Sequence, residues 1–181
     1  INFSHGSSIG DIDGDGDIDI VVTTIAWHGW EKSKSKRTEN GFIYCYINQG
    51  DGHMKVRQCG EQWGMSAELG DIDNDGDLDL VFGSRQISWT KEWGQETMPG
   101  CTSHNHCNST FSGILLNDGT GNFYERGFEF DDVIASTGWA YQSTPNVAVV
   151  DLDNDDDLDV IRMQVGHLYA GAGMTIEENI G

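Results

Sequence analysis

Three nonapeptides with one spacing hold more than half of the 30 acidic residues in this 181-residue chain: Asp11 to Asp19 (DIDGDGDID), Asp71 to Asp79 (DIDNDGDLD) and Asp151 to Asp159 (DLDNDDDLD). The residue types point to a hard divalent cation. Calcium takes six to eight oxygens, and carboxylates at loop positions 1, 3, 5 and 9 with a backbone carbonyl at position 7 can wrap one ion. Without a cation the clustered carboxylates repel, each close pair costing on the order of 1 kcal/mol even where solvent screens them. Position 6, where the chain turns sharply, holds Gly16, Gly76 and Asp156. Glycine adopts the left-handed backbone at least cost, and aspartate tolerates it better than most residues. A merely solvated acidic turn would not keep this phase at all three places.

The loops are not EF-hands. An EF-hand requires a bidentate Glu at position 12 between two helices, whereas position 12 here is Val22, Phe82 and Arg162. Asp19, Asp79 and Asp159 at position 9 must therefore close each site. The segment leaving each loop is short, apolar and β-branched or aliphatic: Ile18, Ile20, Val21 and Val22; Leu78, Leu80, Val81 and Phe82; Leu158, Val160 and Ile161. Such runs read as strands, with the aliphatic residues of positions 2 and 8 turned to a core and the aspartates to the metal.

A longer repeat surrounds the loops. Tyr46 to Met54 (YINQGDGHM) matches Leu115 to Phe123 (LLNDGTGNF), each an apolar strand, a glycine-rich turn and a returning strand, the pattern of a β-hairpin. A third copy begins at Thr175 and stops at its turn, Asn179-Ile180-Gly181. Each unit reads as four strands: A enters the aspartate loop, B leaves it, an insertion comes next, and C and D form the hairpin. Tandem four-stranded units are propeller blades. Gly10-Asp11-Ile12-Asp13-Gly14-Asp15-Gly16-Asp17-Ile18-Asp19-Ile20-Val21-Val22, with Gly41-Phe42-Ile43-Tyr44 and the Asn-x-Gly hairpin beyond it, resembles the FG-GAP/VCBS repeat of integrin-α-like β-propellers. The resemblance implies an all-β partial propeller of antiparallel blades, with calcium bound between the first two strands of each. Its ligands would be Asp11, Asp13, Asp15, Asp17 and Asp19; Asp71, Asp73, Asp75, Asp77 and Asp79; and Asp151, Asp153, Asp155, Asp157 and Asp159. Of these, Asp17, Asp77 and Asp157 would contribute their carbonyls. Blade one spans 1–60, blade two 61–130, and an incomplete blade three 131–181. A propeller of that family closes with about seven blades, so the resemblance implies further blades of the same or a longer chain as partners.

Composition narrows the surroundings. The formal charge is −20, and three calcium ions would leave about −14, which excludes nucleic acid as a partner because phosphate recruits Lys and Arg clusters. Lys32, Lys34, Lys36 and Arg37 are interspersed with serine and flanked by Glu31 and Glu39, as in a solvated loop. No apolar run reaches the roughly 18 residues of a membrane helix, and the absence of an initiator Met or leader pattern fits a mature or partial chain. Four cysteines allow three pairings. Cys45 and Cys59 flank the hairpin centre at Gly52, and Cys101 and Cys107 bracket a polar loop, so local disulfides are expected; a zinc site from Cys101, His104, His106 and Cys107 is the rival. Disulfides and the sequons at Asn2 and Asn108 fit an extracellular or cell-surface glycoprotein.

In an up-and-down blade the A–B and C–D turns share one face. All six tryptophans fall outside them: Trp27, Trp30, Trp89 and Trp93 in B–C insertions, Trp63 and Trp139 in D–A connections. Trp63 and Trp139 occupy corresponding places before strand A and suit blade-to-blade packing. The other four make a candidate ligand face, because indoles stack on sugar rings and anchor protein interfaces. No catalytic residues are expected: no Gly-x-Ser-x-Gly, His-Glu-x-x-His or phosphate loop occurs. The expectation is a calcium-stabilised adhesion module for a glycan or extracellular protein. The alternatives are a self-assembling structural subunit of a filament or coat, and a polysaccharide-lyase-like enzyme using His167 and Tyr169.

Overall fold

A computed structural model describes residues 2–26, 42–60, 64–83, 113–125, 131–135, 143–165 and 172–179. Twelve strands occupy them: β1 (Asn2–Gly10), β2 (Asp19–Ala26), β3 (Ile43–Asn48), β4 (Met54–Gly60), β5 (Ser66–Gly70), β6 (Asp79–Gly83), β7 (Gly113–Asn117), β8 (Phe123–Glu125), β9 (Asp131–Ala135), β10 (Ser143–Val150), β11 (Asp159–Val165) and β12 (Ala172–Glu178). No helix occurs among the described residues, and none is long and apolar enough to cross a membrane.

The strands form three antiparallel four-stranded sheets, ordered β1-β2-β3-β4, β5-β6-β7-β8 and β10-β11-β12-β9. The first two are simple meanders, as the repeat predicts. The third differs. Its chain pattern stops after a third strand, yet β9, which precedes β10 in sequence, lies antiparallel on β12 with Glu178 opposite Asp131. β9 thereby pairs with the N–H and C=O groups along one edge of β12.

Alternation decides which faces are covered. In β3 every second residue is buried, with Ile43, Cys45 and Ile47 pointing one way and half-buried Tyr44 and Tyr46 the other, the period-2 signature of a strand. All five residues of β6 are buried because the middle sheet is covered on both faces. Ile12, Val21, Ile43, Cys45 and Ile47 of the first sheet and its loop pack on Ala67, Leu80, Phe82 and Leu115 of the second. Ile72, Val81, Ile114 and Leu116 then pack on Val147 and Val160 of the third. Each large aliphatic side chain buried this way contributes roughly 1.5–3 kcal/mol. The inner strands approach most closely: a Cβ on Gly6 would overlap the Ser66 backbone, so only glycine fits there. The sheets are therefore side by side, like neighbouring propeller blades, without ring closure among the described residues.

Cys45 and Cys59 form a disulfide between β3 and β4, with Cα atoms 5.9 Å apart. The expected Cys101–Cys107 pair, its zinc alternative, and the sequon at Asn108 lie outside the described residues. So do all six tryptophans, His167 and Tyr169. Asn2 lies at the start of β1.

Candidate metal centres

Each aspartate loop joins the first two strands of a sheet: 11–18 between β1 and β2, 71–78 between β5 and β6, and 151–158 between β10 and β11. The position-1 carboxylate organises the turn by accepting backbone N–H groups. Asp11 Oδ1 accepts from Gly14 (2.8 Å) and Asp15 (3.2 Å), and Oδ2 from Gly16 (2.9 Å). Asp151 repeats all three bonds with Asn154, Asp155 and Asp156, and Asp71 accepts from Gly76 (3.0 Å). At position 5, Asp15, Asp75 and Asp155 each accept from the N–H two residues on, at 2.9, 3.0 and 3.1 Å. Position 6 is left-handed throughout, with φ of 92° at Gly16, 96° at Gly76 and 74° at Asp156. Position 4 is also left-handed, at Gly14, Asn74 and Asn154. Position 4 was not singled out in the sequence, although Gly and Asn are the residue types that most readily adopt this backbone.

Carboxylates converge inside each loop. Ligand atoms of Asp11, Asp13 and Asp15 lie within 4.8 Å of one another, as do those of Asp71, Asp73 and Asp79 and those of Asp151, Asp153 and Asp159. Among the described residues, the buried oxygens Asp13 Oδ1 and Asp71 Oδ1 have no hydrogen-bond donor. A buried anionic oxygen without a donor is costly, and a divalent cation is the partner that fits this donor set of hard oxygens. Burial, then the neighbouring carboxylates of Asp15, Asp19 and Asp11, pushes the Asp13 pKa up. Burial raises Asp79 to about 6, against the lowering effect of N–H bonds from Asn117 and Ile72. Asp153 is raised by desolvation and by Asp155 and Asp159. These are the signs expected of anionic sites whose counter-charge is a metal.

Position 9 has a second task. Asp19, Asp79 and Asp159 are almost fully buried. In each, Oδ2 accepts the N–H of loop position 2 (Ile12, 3.0 Å; Ile72, 2.9 Å; Leu152, 2.9 Å). Oδ1 accepts the N–H of the hairpin asparagine (Asn48, 2.8 Å; Asn117, 2.8 Å; Asn179, 2.9 Å). Each carboxylate oxygen still has a second lone pair for a cation. The position-7 side chains are engaged away from the loop centre. Asp17 lies against Gly50 and Asp77 against Gly119 of the hairpin turns, while Asp157 Oδ1 accepts from Asn74 Nδ2 of the adjacent loop.

The hairpin asparagines were visible in the repeat only as turn residues. Asn117 Nδ2 donates to Ile12 O of the preceding sheet's loop (2.8 Å) and to Leu78 O of its own (3.1 Å). Asn179 Nδ2 does the same with Ile72 O (2.8 Å) and Leu158 O (3.4 Å). Arg57 of β4 adds a clamp, its Nη1 donating to Asn122 Oδ1 (2.7 Å) and its Nη2 to the carbonyls of Thr120 and Gly121 in the β7–β8 turn.

A sequence-family model of the FG-GAP-like repeat matches residues 11–82. Over those residues the chain is similar to the FG-GAP-like repeat. The match runs from the first aspartate of the first loop to Phe82 in β6, so the matched segment contains two successive loops and the β3–β4 hairpin between them. No curated protein matches the chain.

Proposed function

We propose that the chain is a segment of an extracellular β-propeller whose three aspartate loops bind calcium for structural purposes, and that it acts as an adhesion module for a glycan or extracellular protein. The observation that carries the calcium reading is the convergence of Asp71, Asp73 and Asp79, with the buried Asp71 Oδ1 lacking a donor among the described residues. Asp11, Asp13, Asp15 and Asp19, with their counterparts in the other loops, supply carboxylates, and Asp17, Asp77 and Asp157 supply carbonyls. The bound ion would tie the start of the second strand to the end of the first and return its binding energy as stability. The FG-GAP-like repeat and the Cys45–Cys59 disulfide support the extracellular assignment. The ligand face rests on Trp27, Trp30, Trp89 and Trp93, which the sequence pattern assigns opposite the loops.

Calcium titration into EDTA-treated protein tests the metal reading: melting temperature rises with calcium, and an unchanged melting curve in EDTA would refute it. Glycan-array binding lost in Trp27→Ala or Trp93→Ala tests the adhesion reading; no hits on glycans or matrix proteins would remove it.

One observation favours a second reading, a subunit of a larger assembly. Loop position 2 is buried in the first two loops, Ile12 at 1% and Ile72 at 0% exposed, where the next sheet covers it. Leu152 is 45% exposed, Val150 and Met163 of the same sheet are also exposed, and Ile9 and Ile18 are exposed in the first sheet and its loop. Further sheets of the same kind, in cis or from another copy, would cover both ends. Light scattering at increasing concentration distinguishes the two, since a self-closed propeller stays monomeric.

A further inference from the structure

The three loops share a single run of hydrogen bonds. It starts where Asn48 N–H meets Asp19 Oδ1 and passes from Asp19 Oδ2 to Ile12 N–H. From Ile12 O it crosses to Asn117 Nδ2 in the next sheet, whose own N–H bonds Asp79 Oδ1. Asp79 Oδ2 holds Ile72 N–H, Ile72 O accepts from Asn179 Nδ2, Asn179 N–H bonds Asp159 Oδ1, and Asp159 Oδ2 holds Leu152 N–H. Every bond lies between 2.8 and 3.0 Å. Asp19, Asp79, Asp159, Asn117, Asn179, Ile12 and Ile72 are all at most 3% exposed. A second, shorter path joins the last two loops directly, from Asn74 Nδ2 to Asp157 Oδ1.

We propose, resting on the calcium reading, that this run makes the three calcium sites interdependent, with Asn117 and Asn179 as the residues that couple them. Each link is a position-9 carboxylate of one site, and the peptide of position 2 that it holds is gripped on its other side by the next sheet's asparagine. A cation drawn to Asp79 fixes that carboxylate, and with it Ile72 and Asn117. Asn117 in turn fixes Ile12, which orders the first loop, and Ile72 orders the link to the third through Asn179. Ordering shared by two sites is met once, so the second ion binds to a loop already part-formed and binds tighter. Hydrogen bonds in a buried run also polarise one another, which acts in the same direction. Coupling of this kind is reciprocal: whatever the first site does for the second, the second does for the first.

The test is calcium titration by calorimetry on the whole chain, with the native protein and two variants in parallel. The native sequence is expected to bind three ions with a Hill coefficient above 1. Asp153→Asn with Asp155→Asn removes charge from the exposed third loop while keeping its turn geometry. The two remaining ions are then expected to bind about fivefold weaker or more, although their own ligands are untouched. Asn179→Ala, with a circular dichroism check of folding, is expected to bind three ions with a Hill coefficient lower than the native one but still above 1, because Asn117 still joins the first two loops. Three ions of independent affinity, unchanged by the third-loop substitutions, would overturn the coupling and leave the calcium reading standing. No calcium binding at all would overturn both. The third-loop variant decides the matter even if Asn179→Ala does not fold.

Discussion

Replacing Asn117 by alanine isolates one buried link between adjacent sheets. Its side chain donates to Ile12 O at 2.8 Å and Leu78 O at 3.1 Å, and it is 1% exposed. Alanine leaves two carbonyls without that donor, each costing about 1–3 kcal/mol when buried. Against this, Asn117 Oδ1 is buried without a donor among the described residues, so its removal returns about 1 kcal/mol. The net loss is about 1–5 kcal/mol, a large share of a stability of roughly 5–15 kcal/mol, and corresponds to a fall in Tm of about 2–20 °C for a chain of this size. Asn48 is the internal control. It holds the same repeat position, but its Nδ2 reaches only Ile18 O of its own sheet, at 3.3 Å and exposed, so Asn48→Ala is expected to cost under about 1 kcal/mol. Urea denaturation of both variants in saturating calcium supplies the comparison. Equal losses for the two, or a loss below about 0.5 kcal/mol at Asn117, would refute the idea that the asparagine joins one sheet to the next.

Stability should respond to pH with opposite signs in EDTA and in calcium. Burial raises the folded-state pKa of Asp79 to about 6, above the ordinary carboxylate value, so its favourable contribution is complete below about pH 4 and lost as pH climbs through 6. Ion-free protein should thus weaken across that window; calcium, which takes the ionised carboxylate, should make stability rise instead, and parallel slopes in urea melts would contradict this. Reduction of the Cys45–Cys59 bond, which spans 14 positions, should lower stability by about 3 kcal/mol; denaturation with and without reductant measures it, and coincident curves would refute it. Calcium removal should lower Tm at neutral pH far more than it does in a variant already lacking charge in all three loops, such as one with asparagine at Asp13, Asp73 and Asp153.

Much of the site was legible because a calcium-type loop is local. Nine consecutive residues carry the carboxylates, the left-handed turns and the start of the next strand, so spacing alone located all three loops and the strands beside them. The hairpin turns and the Cys45–Cys59 pairing were legible for the same reason: their partners lie within a few residues of one turn. Position 9 was read only as a ligand, because its second role depends on Asn48, Asn117 and Asn179, which arrive from the far side of each sheet. Likewise Arg162 marked only the absence of an EF-hand glutamate. In the fold it is 8% exposed and its guanidinium lies 2.7 and 2.9 Å from the Glu177 carboxylate across β11 and β12, a partly buried pair that residue spacing cannot announce.

By itself, then, the sequence determined the repeating unit: which residues turn, which run as strands, which face alternates into a core, and where negative charge gathers. Tertiary structure alone decided how units are joined. It brought Asn117 onto Ile12 and Asn179 onto Ile72, partners 105 and 107 residues apart, it set Gly6 against Ser66, and it brought β9 onto the edge of β12. The physical reason is range. Backbone preference and hydrophobic alternation act over a few residues and are written in order along the chain, whereas a hydrogen bond between sheets exists only once packing has delivered both of its ends to the same place.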